Sequence, residues 1–484
     1  VRVFEDRGYC VVITALINTA ERFLPSSLRP VAAGAVRRAC RIATDRGEHA
    51  AAQRMALIAF AIRILSAAIA FISQIIQARI MGEFEYGIFV FVWVLTVLIG
   101  NLSCLGFHSV IVRFLPLYRT EGAHGSLFGI AVTARVFSML MATLIAGIGL
   151  GTLYLFGSMV EAYYMTPVFL ALFILPMIAL GDVLDGTARA NSWPFAALTP
   201  TFIIRPTLIL VFMVLAVHAG YRPTAETAIL AALAATYVTS VGQFLTVSTR
   251  MRRRYPAVPR SYSLGAWLRV ALPIFFVEGF GYLLTNADVV IVGLYLEPSE
   301  VAVYFAAAKT MALVQFVFFS VKAAAAPRFS TLVAEGDRMG LARFAGEMAR
   351  WGFWPSLAVG AMMLVAGHLL LSLFGPGFSA GYPLMVILFA GYLAKSAVGP
   401  GEVLLTMAGK QQLCAWLYAG VLVANLLLNM ILIPRFGLAG AAAAAAGAMI
   451  IEAIFLHLTV RKTLGIVLFV FADPMGAAHP QKVS

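Results

Sequence analysis

Charge is scarce in this sequence. Only 12% of its 484 residues are Asp, Glu, Lys or Arg, whereas water-soluble globular chains carry about 25%. A chain that is 61% apolar cannot cover a water-facing surface with so few charges, which excludes an ordinary soluble globular protein. Cysteine is scarce as well. The four residues Cys10, Cys40, Cys104 and Cys414 are scattered and form no CxxC pair, so neither a metal knuckle nor a disulfide framework is indicated. There is no GxxxxGK[ST], GxSxG, HExxH or GxGxxG, so no nucleotide, hydrolase, zinc-protease or dinucleotide site is written in the chain and no cofactor is implied. Lysine is rare beside arginine, 6 against 29, and alanine is abundant, a bias typical of GC-rich bacterial genomes.

Long apolar runs are what the sequence does have. A bilayer core takes roughly 20 consecutive apolar residues per helix, and such runs recur from Leu57 almost to Arg461. They are continuous rather than alternating, which predicts helices and not barrel strands. The expectation is an all-α membrane protein with about twelve transmembrane helices, over 57–78, 87–107, 127–153, 166–187, 195–217, 227–249, 268–292, 301–326, 351–374, 382–408, 412–433 and 437–460. They group into a first six-helix lobe (57–250), a basic linker (251–267) and a second six-helix lobe (268–462). A basic tail, 1–56, precedes them and another, 463–484, follows. The first tail contains an apolar stretch, Tyr9–Ala20, too short to span, and reads either as a cytoplasmic extension or as an over-long start, with Met55 just ahead of the first span.

Lys and Arg collect on one side of this topology. With the N-terminus inside, inner loops hold Arg113, Arg119, Arg189, the cluster Arg250–Arg254, Arg260, Arg328, Arg338 and Arg343 among others, and outer loops hold Arg79, Arg222 and Arg435. The positive-inside rule then places both termini in the cytoplasm. The net charge of +13 is explained by topology without a nucleic-acid partner. The Arg250–Arg254 cluster has a second reading as a contact for anionic lipid.

The two halves resemble each other at an offset of 215 residues. Glu85, Arg113, Phe114 and Leu117 recur as Glu300, Arg328, Phe329 and Leu332, and further on, at an offset of 220, GDVLDGTA at 181–188 reappears as GEVLLTMA at 401–408. Six spans separate matching elements, so the repeat is parallel, about an axis along the membrane normal. Transporters built this way place substrate between the halves.

Ionisable residues inside spans are costly and mark cavities, ion pairs or pathways. Arg205, Lys309 and Lys395 lie near mid-depth, as do Arg135 and Glu278, while Arg63 is about two turns in. Fixed cations suit a pyrophosphate, since arginine binds oxygens in a fork and lysine acts as a point charge. The expected substrate-binding set is therefore Arg205, Lys309 and Lys395, with Arg63 and Arg135. Glu278 and Asp288, both in the seventh span, are the expected proton or cation sites for ion coupling. The competing reading pairs the basic residues with Glu278, Asp288 or Glu452 and has them only hold the lobes together, with Lys309 the named neighbour of Glu278 and Asp288. Asp182, Asp185, Glu402 and Lys322 fall near inner ends, where interface placement suffices, and the histidines, His108 included, look isolated.

Four patches carry a family resemblance: ARIMGEFEYGIF at 78–89, NADVVIVGLYLEPSEVAVYFAAAKT at 286–310, LFGPGF at 373–378 and NLLLNMILIPRFGLAGAA at 425–442. The second is similar to a D-x-x-x-x-G…E-V-G-x-Y-x-x-A-x-[KR] pattern through Asp288, Gly293, Glu300, Val301, Tyr304, Ala307 and Lys309, with Ala302 in place of the usual glycine. Together they resemble the polysaccharide exporter and oligosaccharide flippase branch of the multidrug/oligosaccharidyl-lipid/polysaccharide (MOP) superfamily over about 57–462. That resemblance implies two six-helix lobes around a partly cationic cavity in the bacterial inner membrane. It implies flipping of an undecaprenyl-pyrophosphate-linked oligosaccharide for surface polysaccharide synthesis, not an enzymatic activity. The implied partners are that lipid-linked substrate, membrane lipids, and the polymerase and chain-length machinery. The alternatives are a cation-coupled multidrug exporter of the MATE type, which shares the fold, and a membrane-embedded glycosyltransferase, against which the short predicted outer loops argue.

Overall fold

The computed structural model describes residues 48–472, apart from Ala257, with side chains from Ile62 onward apart from that of Val277. Most of the expected N-terminal tail, Tyr9–Ala20 included, and the last part of the C-terminal tail lie outside the described residues. The described part is helical throughout, with no strand among the described residues.

Sixteen α-helices follow in order. In the first half they are α1 (Glu48–Ser103), α2 (Phe107–Thr120), α3 (His124–Phe156), α4 (Ala162–Leu172), α5 (Leu175–Ala190), α6 (Pro194–Thr199), α7 (Arg205–His218) and α8 (Ala225–Arg254). In the second they are α9 (Leu264–Tyr295), α10 (Pro298–Met311), α11 (Gln315–Glu335), α12 (Arg338–Val365), α13 (Gly367–Ser372), α14 (Tyr382–Val398), α15 (Gly401–Met407) and α16 (Gln411–Leu464).

Among the described residues, eight continuous helical stretches are long and apolar enough to cross a bilayer, nine if α4 and α5, bent by 45° to each other, count as one. This is fewer than the twelve expected segments, and glycine accounts for part of the difference. The expected spans 57–78 and 87–107 both fall within α1, which is broken at Gly82 (φ 77°). Likewise 412–433 and 437–460 both fall within α16, broken at Gly437 (φ 57°). Only a residue without Cβ takes such φ values at low cost, so each break is set by sequence. A different irregularity joins α6 to α7. Pro206 has no N–H for the carbonyl four residues back, and Pro200–Ile204 opens into a π-helical turn just ahead of it.

Several helix starts are written in side chains. Asp337 accepts from the Gly340 N–H at 2.8 Å at the start of α12. Glu297 and Glu300 form a reciprocal capping box at the start of α10, satisfying donors that a helix leaves open at its N-terminus. Glu300, a residue of both the internal repeat and the family pattern, has this cap as its local role.

Three apolar cores result. One lies mainly in the first half, around Phe107 and Leu127, and takes in Trp267 and Ala271 from α9. Another belongs to the second half, around Phe329, Leu404 and Val421. The largest runs across the seam between the halves, where α10 packs on the part of α1 after Gly82. Small residues make that approach close: a Cβ on Gly87 would overlap the Pro298 carbonyl, and one on Gly293 would overlap the Phe91 ring. The halves are also joined by Arg79, whose side chain donates to the carbonyls of Ser372 (3.1 Å) and Leu373 (2.5 Å) at the end of α13.

Candidate translocation site

The seam carries a continuous line of aromatic rings. Tyr86, Phe89 and Trp93 lie one turn apart on α1. Tyr86 and Phe89 have centroids 6.4 Å apart, and Phe89 stacks on Trp93 at 6.3 Å with an interplanar angle of 10°. Tyr86 also meets Phe305 of α10 edge-on at 6.4 Å, across the seam.

A cation closes each end of this line. The Arg205 guanidinium lies 5.7 Å from the centroid of Trp93, and the Lys309 ammonium 5.1 Å from that of Phe305. Neither has a carboxylate within ion-pair distance among the described residues. One cation comes from each half. Cation–π contact of this kind is worth about 0.5–2 kcal/mol, enough to hold a side chain in place without cancelling its charge. Lys309 is therefore not the partner of Glu278 or Asp288 that one sequence reading allowed.

The other three expected substrate residues are placed differently. Lys395, on α14, is paired at 2.8 Å with the buried carboxylate of Glu452 on α16, so its charge is matched inside the second half. Arg135, on α3, donates to the Ser248 hydroxyl at 3.1 Å and lies 5.5 Å from the Phe244 ring, both on α8. Arg63 is exposed and sits 4.6 Å over the Phe202 ring. Of the five, Arg205 and Lys309 are brought to one aromatic line, and the other three make separate contacts within their own halves.

The two expected coupling acids also part company. Asp288 accepts from the Asn429 amide at 3.2 Å, and Asn429 donates to the Asn425 side-chain oxygen at 2.5 Å. Asp288 of α9 and the two asparagines of α16 thus form one hydrogen-bonded cluster, with the Asn429 amide nitrogen between the Asp288 and Asn425 oxygens. Glu278 instead faces the first half. Its carboxylate lies 2.8 Å from Nε2 of His108 and accepts from the Ser109 hydroxyl at 2.6 Å.

His108 is a residue that sequence reasoning missed. It was read as isolated because nothing acidic is near it in sequence, and its partner stands 170 positions away. Further acids taken as interface residues are also engaged. Asp185 pairs with Arg189 at 3.0 Å. Glu402 pairs with Lys322, which lies beside Lys395 around a small pocket that also includes Phe318 and Tyr392. Asp182 keeps one buried carboxylate oxygen without a partner, as does the Nδ1 of His108.

Residues 53–333 match the model of a family described as polysaccharide biosynthesis protein. The chain belongs to that family. Among solved structures, an inward-facing multidrug resistance MATE transporter of the MOP superfamily is similar at a TM-score of 0.68 and 16% identity, over 82% of this chain and 94% of that one. The lipid II flippase MurJ in an inward closed conformation is similar at 0.66 and 13% identity, over 84% and 87%. A MOP-superfamily transporter from Pyrococcus furiosus, whose structure is described as having a binding pocket of reversed polarity, is similar at 0.59 and 16% identity, over 86% and 95%. No curated protein sequence matches this chain. The fold is thus that of these MOP-superfamily transporters and flippases, as the four motif patches implied.

Proposed function

We propose that this family member flips a lipid-linked oligosaccharide, carried on undecaprenyl pyrophosphate, from the inner to the outer leaflet of the bacterial cytoplasmic membrane by alternating access. The observation that carries this reading is the pair of cations, Arg205 and Lys309, one from each half and neither with a carboxylate within ion-pair distance among the described residues, at the two ends of the aromatic line on the seam. An anionic head group held between the halves draws charge from both, and rocking one half against the other then separates the two contacts. Fixed cations of this kind favour a pyrophosphate and disfavour cationic drugs, which sets the reading apart from a MATE-like exporter.

A parallel duplication and a twelve-crossing topology with both termini cytoplasmic belong to the same reading. The break at Gly82 and the extended Glu297 before α10 stand 215 residues apart, and left-handed Gly122 and Gly336 close the helices that follow. Dividing α1 and α16 at their glycines, counting the bent α4–α5 pair once and adding the less apolar α12 gives twelve crossings. Asp288, with Asn425 and Asn429, is the assigned ion-coupling site.

The test is reconstitution. Proteoliposomes carrying the purified chain and a fluorescent undecaprenyl-pyrophosphate oligosaccharide should show protein-dependent loss of inner-leaflet label under an ion gradient. Export of cationic dyes with no movement of the lipid-linked sugar would establish the drug-exporter reading instead.

A further inference from the structure

The end of α8 carries a cationic cluster that the translocation site does not use. Arg250 and Arg254 are one helical turn apart, and their guanidinium carbons lie 5.8 Å and 5.9 Å from the centroid of one indole ring, that of Trp193. Arg254 also donates to the Asn191 carbonyl at 3.1 Å. The ring is held in position by an unusual turn. Ser192, with φ 59°, occupies the left-handed region, which costs a non-glycine residue about 1 kcal/mol or more. The Trp193 N–H closes this turn onto the Ala188 carbonyl at 2.9 Å. Tyr255 pins the same turn by donating to the Asn191 side-chain oxygen at 2.6 Å.

Like charges at i and i+4 repel by about 0.2–0.5 kcal/mol, and here two are gathered onto one face. Arg252 and Arg253 add two more charges, all four arginines are exposed, and none is paired with a carboxylate among the described residues. The cluster sits at the very end of a 30-residue apolar helix, longer than the roughly 20 residues that cross a bilayer core. A helix of that length carries its end beyond the bilayer core to the level of lipid head groups, where tryptophan is enriched.

We infer that Trp193, Arg250 and Arg254 form a binding site for the phosphate of an anionic phospholipid. The two forks supply oxygen-directed donors, and the phosphate relieves the repulsion that the turn imposes. The site is separate from Arg205 and Lys309, and its occupant remains in its leaflet.

The experiment is native mass spectrometry of the full chain in detergent, titrated with phosphatidylglycerol or with phosphatidylethanolamine of the same acyl chains. The expected result is at least fivefold stronger retention of phosphatidylglycerol. Arg250→Gln with Arg254→Gln should abolish that preference, and Arg252→Gln with Arg253→Gln, an equal change in charge off the indole, should leave most of it. Equal loss in both double variants would overturn the site in favour of diffuse charge, as would a wild-type chain with no preference. Displacement of phosphatidylglycerol by undecaprenyl pyrophosphate in the wild type, but not after Arg205→Ala, would likewise overturn it, because the retained lipid would then be occupying the transport site. Trp193→Phe, which keeps both charges and an aromatic face, should retain the preference in part and guards against loss through misfolding.

Discussion

The carboxylate of Glu278 lies 2.8 Å from Nε2 of His108 and joins the two halves of the chain through α9 and α2. Ser109 adds a second donor from the same turn, and the left-handed Gly106 lets α2 begin directly against the backbone of α9 at Ala271. A hydrogen bond to a charged group contributes about 1.5–3 kcal/mol. Glu278→Gln and His108→Gln should therefore each destabilise the purified protein, and the double variant should cost clearly less than the two added together. Denaturant or thermal unfolding in detergent measures this cycle. Strict additivity would show that the contact carries no coupling between the halves.

The Lys395–Glu452 pair gives a different expectation. Glu452 is 2% exposed, so removing Lys395 leaves an uncompensated buried carboxylate, at a cost of about 3–5 kcal/mol. Lys395→Met should lower stability and expression sharply, and Lys395→Met with Glu452→Leu should recover most of both. A Lys395→Met protein that is as stable as wild type yet inactive would restore Lys395 to the substrate set.

Much of the fold was legible in the sequence because lipid imposes one strong rule, a long apolar helix, and the chain obeys it from Leu57 onward. The breaks were less legible. Gly82 and Gly437 lie in apolar runs or just beside them, and nothing in periodicity marks the φ they adopt. Depth alone picked out the site candidates as a group and could not sort them. Lys309 and Lys395 look alike in sequence, and only packing reveals that Glu452 meets one and an aromatic ring meets the other. His108 had no local signal at all, since its meaning depends on a residue in the opposite half.

Asp288 is the position where charge and shape can be separated. Its hydrogen-bond partner, Asn429, is itself held by Asn425, so Asp288→Asn keeps the size and much of the network and removes only the charge. Insertion and unfolding should change little, and gradient-driven transport should fall at least tenfold. One charge moved through 100 mV is worth about 2.3 kcal/mol, roughly that factor or more. Undiminished gradient-driven transport by Asp288→Asn would move ion coupling elsewhere.

Orientation is tested without transport. The Lys and Arg asymmetry puts Ser299 at the start of α10, and Ser379, outside, and Ser261, whose N–H donates to the Gly125 carbonyl, inside. Single cysteines at these positions, in a chain lacking its native ones, should react with an impermeant maleimide in intact cells at 299 and 379 and only after lysis at 261. The opposite pattern would invert the topology and with it the inner-to-outer direction.

Arg205 and Lys309 bear the main weight of the flippase reading. Each touches an aromatic ring on the seam, neither is paired with an acid among the described residues, and they come from opposite halves. Replacing either by Ala should leave insertion intact, because no partner is stranded by the change. Transport should fall by about tenfold to a hundredfold, the equivalent of one charged hydrogen bond of about 1.5–3 kcal/mol. Lys309→Arg should retain activity, since charge is kept and the ring contact tolerates a guanidinium. Arg205→Lys should lose more, because the fork that grips two oxygens is gone. Charge reversal separates this from a structural role. If Lys309 acts only by pairing with an acid, Lys309→Glu combined with Asp288→Lys or Glu278→Lys restores transport. If it holds the substrate's phosphate, neither combination does. The absence of any carboxylate within ion-pair distance of Lys309 among the described residues leads us to expect no rescue, read by flipping of the labelled lipid at matched protein levels.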